Sequence, residues 1–347
     1  MAYDSRKPVR LRIGVNAAEW EAESSMAAPR VAVILPCFNE GEAIAGVVRD
    51  FRKALPASNI YVYDNASCDD TVAKAKAAGA IVRGVRQRGK GNVVRHAFAQ
   101  VEADVYVIAD GDGTYDAARA PELVATLWEE HLDMVVGTRE HRGERAAYRS
   151  GHQTGNQLFN WLVQRLFGEA FVDIFSGYRA FSRPFVKSFP ALATGFETET
   201  EMSLHAIQLG LACAEIPTLY RPRGEAGQSK LRTYRDGGRI LWFIARLLKH
   251  LRPLFLFATI AAAAAAVSLA MGSGVIAEFI ETGLVPRLPT AVAAASLMVI
   301  AGVSLATGLI LDSVAYAQQE TKRLAYLTIS RVAPRRELAS LTGHAAA

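Results

Sequence analysis

The chain has 347 residues, 51% of them hydrophobic, and a formal net charge of +5. That length accommodates one large domain and a further element. The charge gives no case for a nucleic-acid partner, because no basic stripe interleaved with aromatics and no nucleic-acid motif accompanies it; the three scattered cysteines, Cys37, Cys68 and Cys213, exclude a disulfide framework and read as reduced thiols.

In chain order, residues 1–29 are mixed and polar, without the apolar run of a signal peptide, and are expected to be a loose extension. Residues 31–35 predict a strand ended by Pro36, residues 42–54 a helix and residues 60–63 a second strand. Asp69-Asp-Thr71 begins a helix to Ala78, stopped by Gly79, before a short strand over 81–85 and a helix over 92–101. A strand from Val105, a helix over 119–131 and a strand over 134–136 complete the alternation. Strands alternating with helical segments predict a mostly parallel sheet covered by helices, whose ligands bind at the carboxyl ends of the strands. Three polar clusters fall there: Pro36-Cys-Phe-Asn-Glu40, Asp64-Asn-Ala-Ser67 and Asp110-Gly-Asp112. No Gly-x-Gly-x-x-Gly follows the first strand, which argues against a nicotinamide dehydrogenase.

The segment Val105-Tyr-Val-Ile-Ala-Asp110-Gly-Asp112 carries the most chemistry. A buried strand runs into two acids one residue apart, which repel each other unless a cation sits between them. Divalent metals that fill such sites commonly accompany phosphates. An acidic turn is the plain alternative.

Two later stretches, residues 254–277 and 288–311, carry no charged residue. Each is long enough to cross a bilayer as a helix, which takes roughly 20 residues; the alternative is a pair of alanine-rich core helices. Arg239, Arg246, Lys249 and Arg252 precede them, and Lys322, Arg323, Arg331, Arg335 and Arg336 follow. Between them lie Glu278, Glu281 and one basic residue, Arg287. By the positive-inside rule both outer ends are cytoplasmic, making a transmembrane hairpin at the end of a cytosolic domain. Residues 238–252 interleave apolar and basic side chains with Trp242 and Phe243, the pattern of a helix lying in the membrane interface, or else of the start of the first span.

The clusters, in this order, resemble glycosyltransferase family 2. Pro36-Cys-Phe-Asn-Glu40 is similar to that family's Pro-x-Tyr-Asn-Glu, and Asp64-Asn-Ala-Ser67-Cys-Asp69-Asp-Thr71 to its Asp-Asp-Gly-Ser-x-Asp-x-Thr. Arg88-Gly-Lys-Gly91 resembles its Gly-Lys-Gly, and Asp110-Gly-Asp112 its Asp-x-Asp. Asp173-Ile-Phe-Ser-Gly-Tyr-Arg179 is similar to the Asp-x-x-Ser-Gly-Phe-Arg of dolichyl- and polyprenyl-phosphate sugar synthases. The run from Arg221 through Arg223 to Ser229-Lys230 is similar to their Arg-x-x-Gly-x-Ser-Lys. The resemblance implies an α/β fold of GT-A type (Rossmann-like, mostly parallel sheet) over 30–235, an interface helix over 236–252, a transmembrane hairpin over 253–313 and a cytoplasmic tail over 314–347. It implies an inverting, metal-dependent transferase of the dolichyl-phosphate mannosyltransferase kind, with Mg²⁺ or Mn²⁺. The sugar would pass from a nucleotide sugar, UDP-linked in preference to GDP-mannose, to a polyprenyl phosphate in the bilayer. The transmembrane helices leave room for a homo-oligomer.

Carried over residue by residue, Asp64 would accept a hydrogen bond from the base, with Pro36, Phe38 and Glu40 lining the base and ribose pocket. Lys90, Arg223, Ser229 and Lys230 would meet the diphosphate, and Asp110 and Asp112 the metal. Arg139 and Arg149 would face the acceptor phosphate, which suits the guanidinium fork, with Ser176 and Arg179 on the same side. Each has a plain alternative: a turn acid at Asp64, a strand terminator and capped helix at 36–40, a solvated loop after Arg139, a juxtamembrane basic patch at 223–230. This chain departs from the family's Asp-Ala-Asp-Leu-Gln-His-Pro-Pro, because the Gln that assists the metal is missing and only Thr114 and Asp116 stand in its place. Glu197, Glu199 and Glu201 are expected to orient groups or begin a helix, since a lipid phosphate is already largely ionised and needs no strong base. Two rival readings remain: transfer to a hydroxyl-bearing lipid, which would make those acids essential, and a non-catalytic membrane adaptor on a transferase fold.

Overall fold

Seven strands form one sheet: β1 (Val31–Cys37), β2 (Asn59–Asp64), β3 (Ile81–Gly84), β4 (Val105–Ile108), β5 (Met134–Glu140), β6 (Arg179–Ser182) and β7 (Cys213–Leu219), in the order β3-β2-β1-β4-β6-β5-β7. The computed structural model describes residues 28–140, 173–195, 197–221, 249 and 252–333. The described residues group into two compact units, one of 28–221 with 323–333, the other of 249–322.

In the first unit β1 pairs in parallel with β2 and β4, β2 with β3, and β5 with β7; β6 runs antiparallel between β4 and β5. The alternation of side chains along β1 divides the core. Val33 and Leu35 face α1 (Ile44–Ala54), α2 (Thr71–Ala77) and α4 (Ala120–Glu129), while Ala32 and Ile34 face α3 (Lys90–Gln100), α5 (Arg183–Ser188) and α6 (Thr198–Leu209). Both faces are covered, as a parallel sheet requires. The chain goes outward from β1 to β2 and β3, then returns to place β4 on β1's other side. The crevice at the carboxyl ends of β1 and β4 is therefore a topological switch point.

Pro36 lies inside β1, contrary to the expectation that it ends the strand. Beyond Ile34, β4 no longer pairs with β1, and Pro36 instead accepts from Gly111 N through its carbonyl at 3.3 Å. Its missing N–H is thus turned to the side where the ladder has ended.

At the opposite end of the sheet from the crevice, the start of β5 is bound by residues of 323–333. Asp133, buried just before β5, accepts from Ser182 Oγ at 2.8 Å, Tyr326 Oη at 3.1 Å and Arg331 Nη2 at 3.2 Å. Arg331 also donates to the carbonyls of His131 and Leu132. Burial pushes the Asp133 carboxyl above its ordinary value, against the pull of Arg331. Arg331→Ala should therefore cost about 2 kcal/mol, the scale of hydrogen bonds to a charged group, read as a lower thermal midpoint of the purified chain.

In the second unit α7 (Pro253–Thr282) and α8 (Leu288–Leu327) are each long and apolar enough to cross a membrane. Helix α8 continues well past residue 313, where the hairpin was expected to end. Buried positions recur every seven residues: Ala261, Ser268 and Val275 on α7, Ala294, Ala301 and Gly308 on α8. This is the repeat of a left-handed helix seam, with small residues that let backbones approach. Ser268 Oγ donates to the carbonyl of Ala294 at 2.7 Å, and a Cβ at Gly308 would lie 2.8 Å from Phe257 Cβ. Outside the seam, Leu269, Ile276, Ile280, Val299, Val303 and Ile310 are exposed, whereas core helices would bury them. The expected interface helix over 236–252 lies outside the described residues except for Lys249 and Arg252.

Candidate active site

Each strand end at the switch point delivers one polar cluster, and hydrogen bonds lace the clusters together. Asn39 N donates to Ser67 Oγ at 2.9 Å, Glu40 N to Thr71 Oγ1 at 2.9 Å and Gly41 N to Asp69 Oδ2 at 2.9 Å. Asn65, one residue past β2, donates to the carbonyls of Val85 and Gln87 and accepts from Gly89 N at 2.7 Å. That clamp fixes the start of α3. Gly89 has φ +120°, and a Cβ there would lie 2.0 Å from the carbonyl oxygen of Thr194, so only glycine fits.

Asp64 is 8% exposed. Its Oδ2 accepts from Ser67 N at 3.3 Å, while its Oδ1 is buried with no hydrogen-bond partner. An unsatisfied carboxylate oxygen at a strand end is costly, and it is an acceptor ready for an N–H. Phe38 is 44% exposed, with the Arg88 guanidinium over its ring at 4.9 Å. Pro36 is buried and acts through its backbone.

Asp110 and Asp112 follow β4. Thr114 donates to Asp112 Oδ1 from both N, at 3.1 Å, and Oγ1, at 2.7 Å. Thr114 is itself buried, and Asp116 accepts from Ala118 N at the start of a short 3₁₀ turn. Both residues thus also shape the turn that follows Asp112. Gly111 is required between the acids, because a Cβ there would lie 2.3 Å from Cys37 Sγ. Burial, and then the carboxylates of Glu40, Asp64, Asp110 and Asp112, push the Cys37 thiol well above its ordinary value. Four acids acting on one buried thiol mark a concentration of negative charge that suits a cation. Among the described residues no group of three or more His, Cys, Asp or Glu is arranged to hold a metal. The donor set fits Mg²⁺ or Mn²⁺ nonetheless, since such ions are usually held by one or two carboxylates together with substrate phosphates.

Lys90, the first residue of α3, lies 2.5 Å from Asp110 Oδ1 and 2.5 Å from Glu199 Oε1. Burial opposes its charge, but the two carboxylates more than offset this and raise its pKa. The loop before β6 closes the site: Gly177 N donates to Tyr115 Oη at 2.9 Å, and a Cβ at Gly177 would lie 3.0 Å from both Asp110 Oδ2 and Lys90 Nζ. Burial, and then Asp110, push the Tyr115 phenol up to about 12.

On β5, Arg139 makes a bidentate bridge to Asp173, Nε to Oδ2 and Nη2 to Oδ1 both at 2.8 Å, and lies 5.6 Å from the Tyr220 ring centroid. The bond to Asp173 raises its pKa, so it stays a cation.

Two acceptor-side expectations are corrected by burial. Ser176 donates to the carbonyl of Gly137 at 2.5 Å and is fully buried. Arg179 is 1% exposed and donates to the carbonyls of Ser176 and Ile174 and to Ser203 Oγ. Neither reaches a surface where an acceptor could be touched; both hold the loop that carries Gly177. Arg149, Arg223, Ser229 and Lys230 lie outside the described residues. Of the acids of 197–201, Glu199 turns to Lys90, Glu201 accepts from Leu192 N and Ala193 N, both at 2.8 Å, and Glu197 is exposed. Tyr115, Asp173 and Glu199 were not marked as site residues by motif, although Asp173 opens the Asp-x-x-Ser-Gly-Tyr-Arg run and could have been found there.

A doubly covered sheet with acids, a buried lysine and a paired arginine at its switch point defines a GT-A domain. The chain belongs to glycosyl transferase family 2: residues 32–189 match that family, and it is 33% identical to glycosyltransferase AglJ of Haloferax volcanii over 72% of this chain and 82% of that one. It is also similar to the undecaprenyl-phosphate mannosyltransferase of Micrococcus luteus, at 27% identity over 58% of this chain and 87% of that one. Among solved structures it resembles glucosyl-3-phosphoglycerate synthase from Mycobacterium tuberculosis in complex with Mg²⁺ and UDP. Identity there is 26%, with 69% of this chain and 84% of that one covered and a TM-score of 0.50.

Proposed function

We propose that this transferase moves a sugar from a nucleotide sugar, a UDP-sugar in preference to GDP-mannose, onto a polyprenyl phosphate. The product is a polyprenyl-phosphate sugar with inverted anomeric configuration. The observation that carries the choice of acceptor is that acids beside the site are already bound to cations: Asp110 and Glu199 to Lys90, and Asp173 to Arg139. A carboxylate so paired is a poor general base. A hydroxyl acceptor needs such a base, whereas a phosphate monoester, with a second pKa near 6, arrives largely ionised. The Micrococcus luteus relative, named for an undecaprenyl-phosphate acceptor, supports the same choice.

In this reading Asp64 Oδ1 receives an N–H of the base, and Phe38 with Arg88 flanks the base and ribose. Asp110 and Asp112 would hold Mg²⁺ or Mn²⁺, which supplies positive charge to the leaving diphosphate. Lys90 adds a fixed cation on the same side, a preorganised charge that costs no rearrangement during reaction. Arg139, oriented by Asp173, meets the acceptor phosphate, with Arg149 as a second cation on that side and Arg223, Ser229 and Lys230 on the donor diphosphate. Ser176 and Arg179 set the loop between the two. Helices α7 and α8 cross the membrane with the catalytic domain and both termini on the cytoplasmic face, in keeping with an acceptor that is itself a membrane lipid.

One assay tests the reading. Radiolabelled nucleotide sugars are offered in turn with undecaprenyl phosphate, with Mn²⁺ or with EDTA. The expected result is lipid-extractable label from one donor, lost in EDTA. Absence of a lipid-linked product with every donor overturns it.

A further inference from the structure

The pairing of Lys90 has a peculiarity. Its ammonium is shared by two carboxylates at the same distance, one of which, Asp110, is wanted by a divalent cation. The other, Glu199, is 7% exposed and uses only Oε1; its Oε2 is buried and has no hydrogen-bond partner. An unpaired buried carboxylate oxygen is expensive to keep. An ammonium carries three donors on a flexible stem, so the empty oxygen gives it a second place to bind.

We propose that Glu199 is a positioning residue that holds Lys90 in the site when a divalent cation takes over Asp110. The inference rests on the donor reading above and extends it to a residue that the family motifs do not mark. With a divalent cation on Asp110, Lys90 would release that carboxylate and keep two of its three donors on the two oxygens of Glu199. Glu199 also offsets the repulsion between two neighbouring positive charges. Without it, Lys90 would compete with the cation for Asp110 or swing away from the diphosphate. Glu199 comes from the first turn of α6, and the loop before that helix packs on the start of α3: a Cβ at Gly91 would lie 2.0 Å from the carbonyl oxygen of Ala193. The two backbones that carry the pair are therefore locked together, while the ammonium itself can shift.

The test is a double-mutant cycle read by calorimetric binding of UDP, with GDP in a parallel arm, to the full chain in detergent with Mn²⁺. Glu199→Gln should weaken binding roughly tenfold, the scale of losing one charge near a partly buried site. Lys90→Met should weaken it at least as much. In the Lys90→Met background, Glu199→Gln should cause no further loss, because a negative charge near an anionic ligand helps only through Lys90. Glu199→Asp, which keeps the charge on a shorter stem, should fall between wild type and Glu199→Gln, and it stands in if the Gln variant does not fold. Equal losses from Glu199→Gln in both backgrounds, or none in the wild-type background, overturn the proposal. A wild-type chain that binds neither nucleotide instead sinks the donor reading itself.

Discussion

Asp110→Asn should lower sugar transfer by about 10³-fold, the scale on which removal of a preorganised electrostatic contact is felt, and leave the domain folded. Lys90 keeps Glu199 as a partner at 2.5 Å, and Gly177 still lies against the side chain, so the change removes charge and little else. Asp112→Asn is the cleaner companion. An amide oxygen can still accept from Thr114 N and Oγ1, so the turn survives while the second carboxylate is lost. The loss should appear chiefly in kcat, because charge on the departing diphosphate matters most in the transition state. UDP binding that strengthens with Mn²⁺ in wild type should become indifferent to it in Asp110→Asn/Asp112→Asn. Metal-dependent binding that survives in this double variant would remove both acids from the metal.

The donor edge of the sheet was legible because its chemistry dictates residue types. β1, β2 and β4 are short apolar runs that end in polar groups, and such runs have few other uses. β6 was not legible. Its four residues, Arg179–Ser182, carry an arginine and a serine yet are buried on both faces, because the flanking strands and helices supply partners for both. β7 hid for a similar reason: Glu215 donates nothing to a hydrophobic pattern, but it accepts from Asp173 N at 3.1 Å. α6 begins Thr-Glu-Thr-Glu, with the acids expected of a helix start, but the sequence does not show that Glu199 points inward to Lys90 while Glu201 holds the preceding loop.

Within the site, pairings across long stretches of sequence were invisible for want of any local signal. Arg139 with Asp173 depends on the loop before β6 lying beside β5, and Lys90 with Glu199 on the loop before α6 packing against the start of α3. The departure at Gly111 shows the same effect at short range. Where the family has Ala between its acids, this chain has Gly, and Cys37 Sγ fills the space that the Ala methyl would take. The contact with Cys37 is therefore invisible in the motif, although interiors leave little unfilled volume for a methyl group there.

Arg179→Leu should destabilise the catalytic domain by roughly 3–5 kcal/mol, the scale of losing two hydrogen bonds from a charged donor. Burial opposes the charge of this guanidinium, yet it stays bound through Ser176 O at 2.8 Å, Ile174 O at 2.5 Å and Ser203 Oγ at 2.9 Å. Leucine would leave the buried Ser176 carbonyl and the part-buried Ile174 carbonyl without this donor, while Ser203 Oγ would keep its bond to the Glu199 carbonyl. At about 2–4 °C per kcal/mol for a domain of this size, the thermal midpoint should fall by roughly 10 °C. The kinetic signature separates this role from acceptor binding. An arginine that touched a lipid phosphate would raise the acceptor KM and leave nucleotide affinity alone. A residue that holds the loop carrying Gly177 against Asp110 and Lys90 should weaken UDP binding and kcat together, and lowering the assay temperature should recover part of both. An isolated rise in acceptor KM at an unchanged midpoint would return Arg179 to the acceptor side.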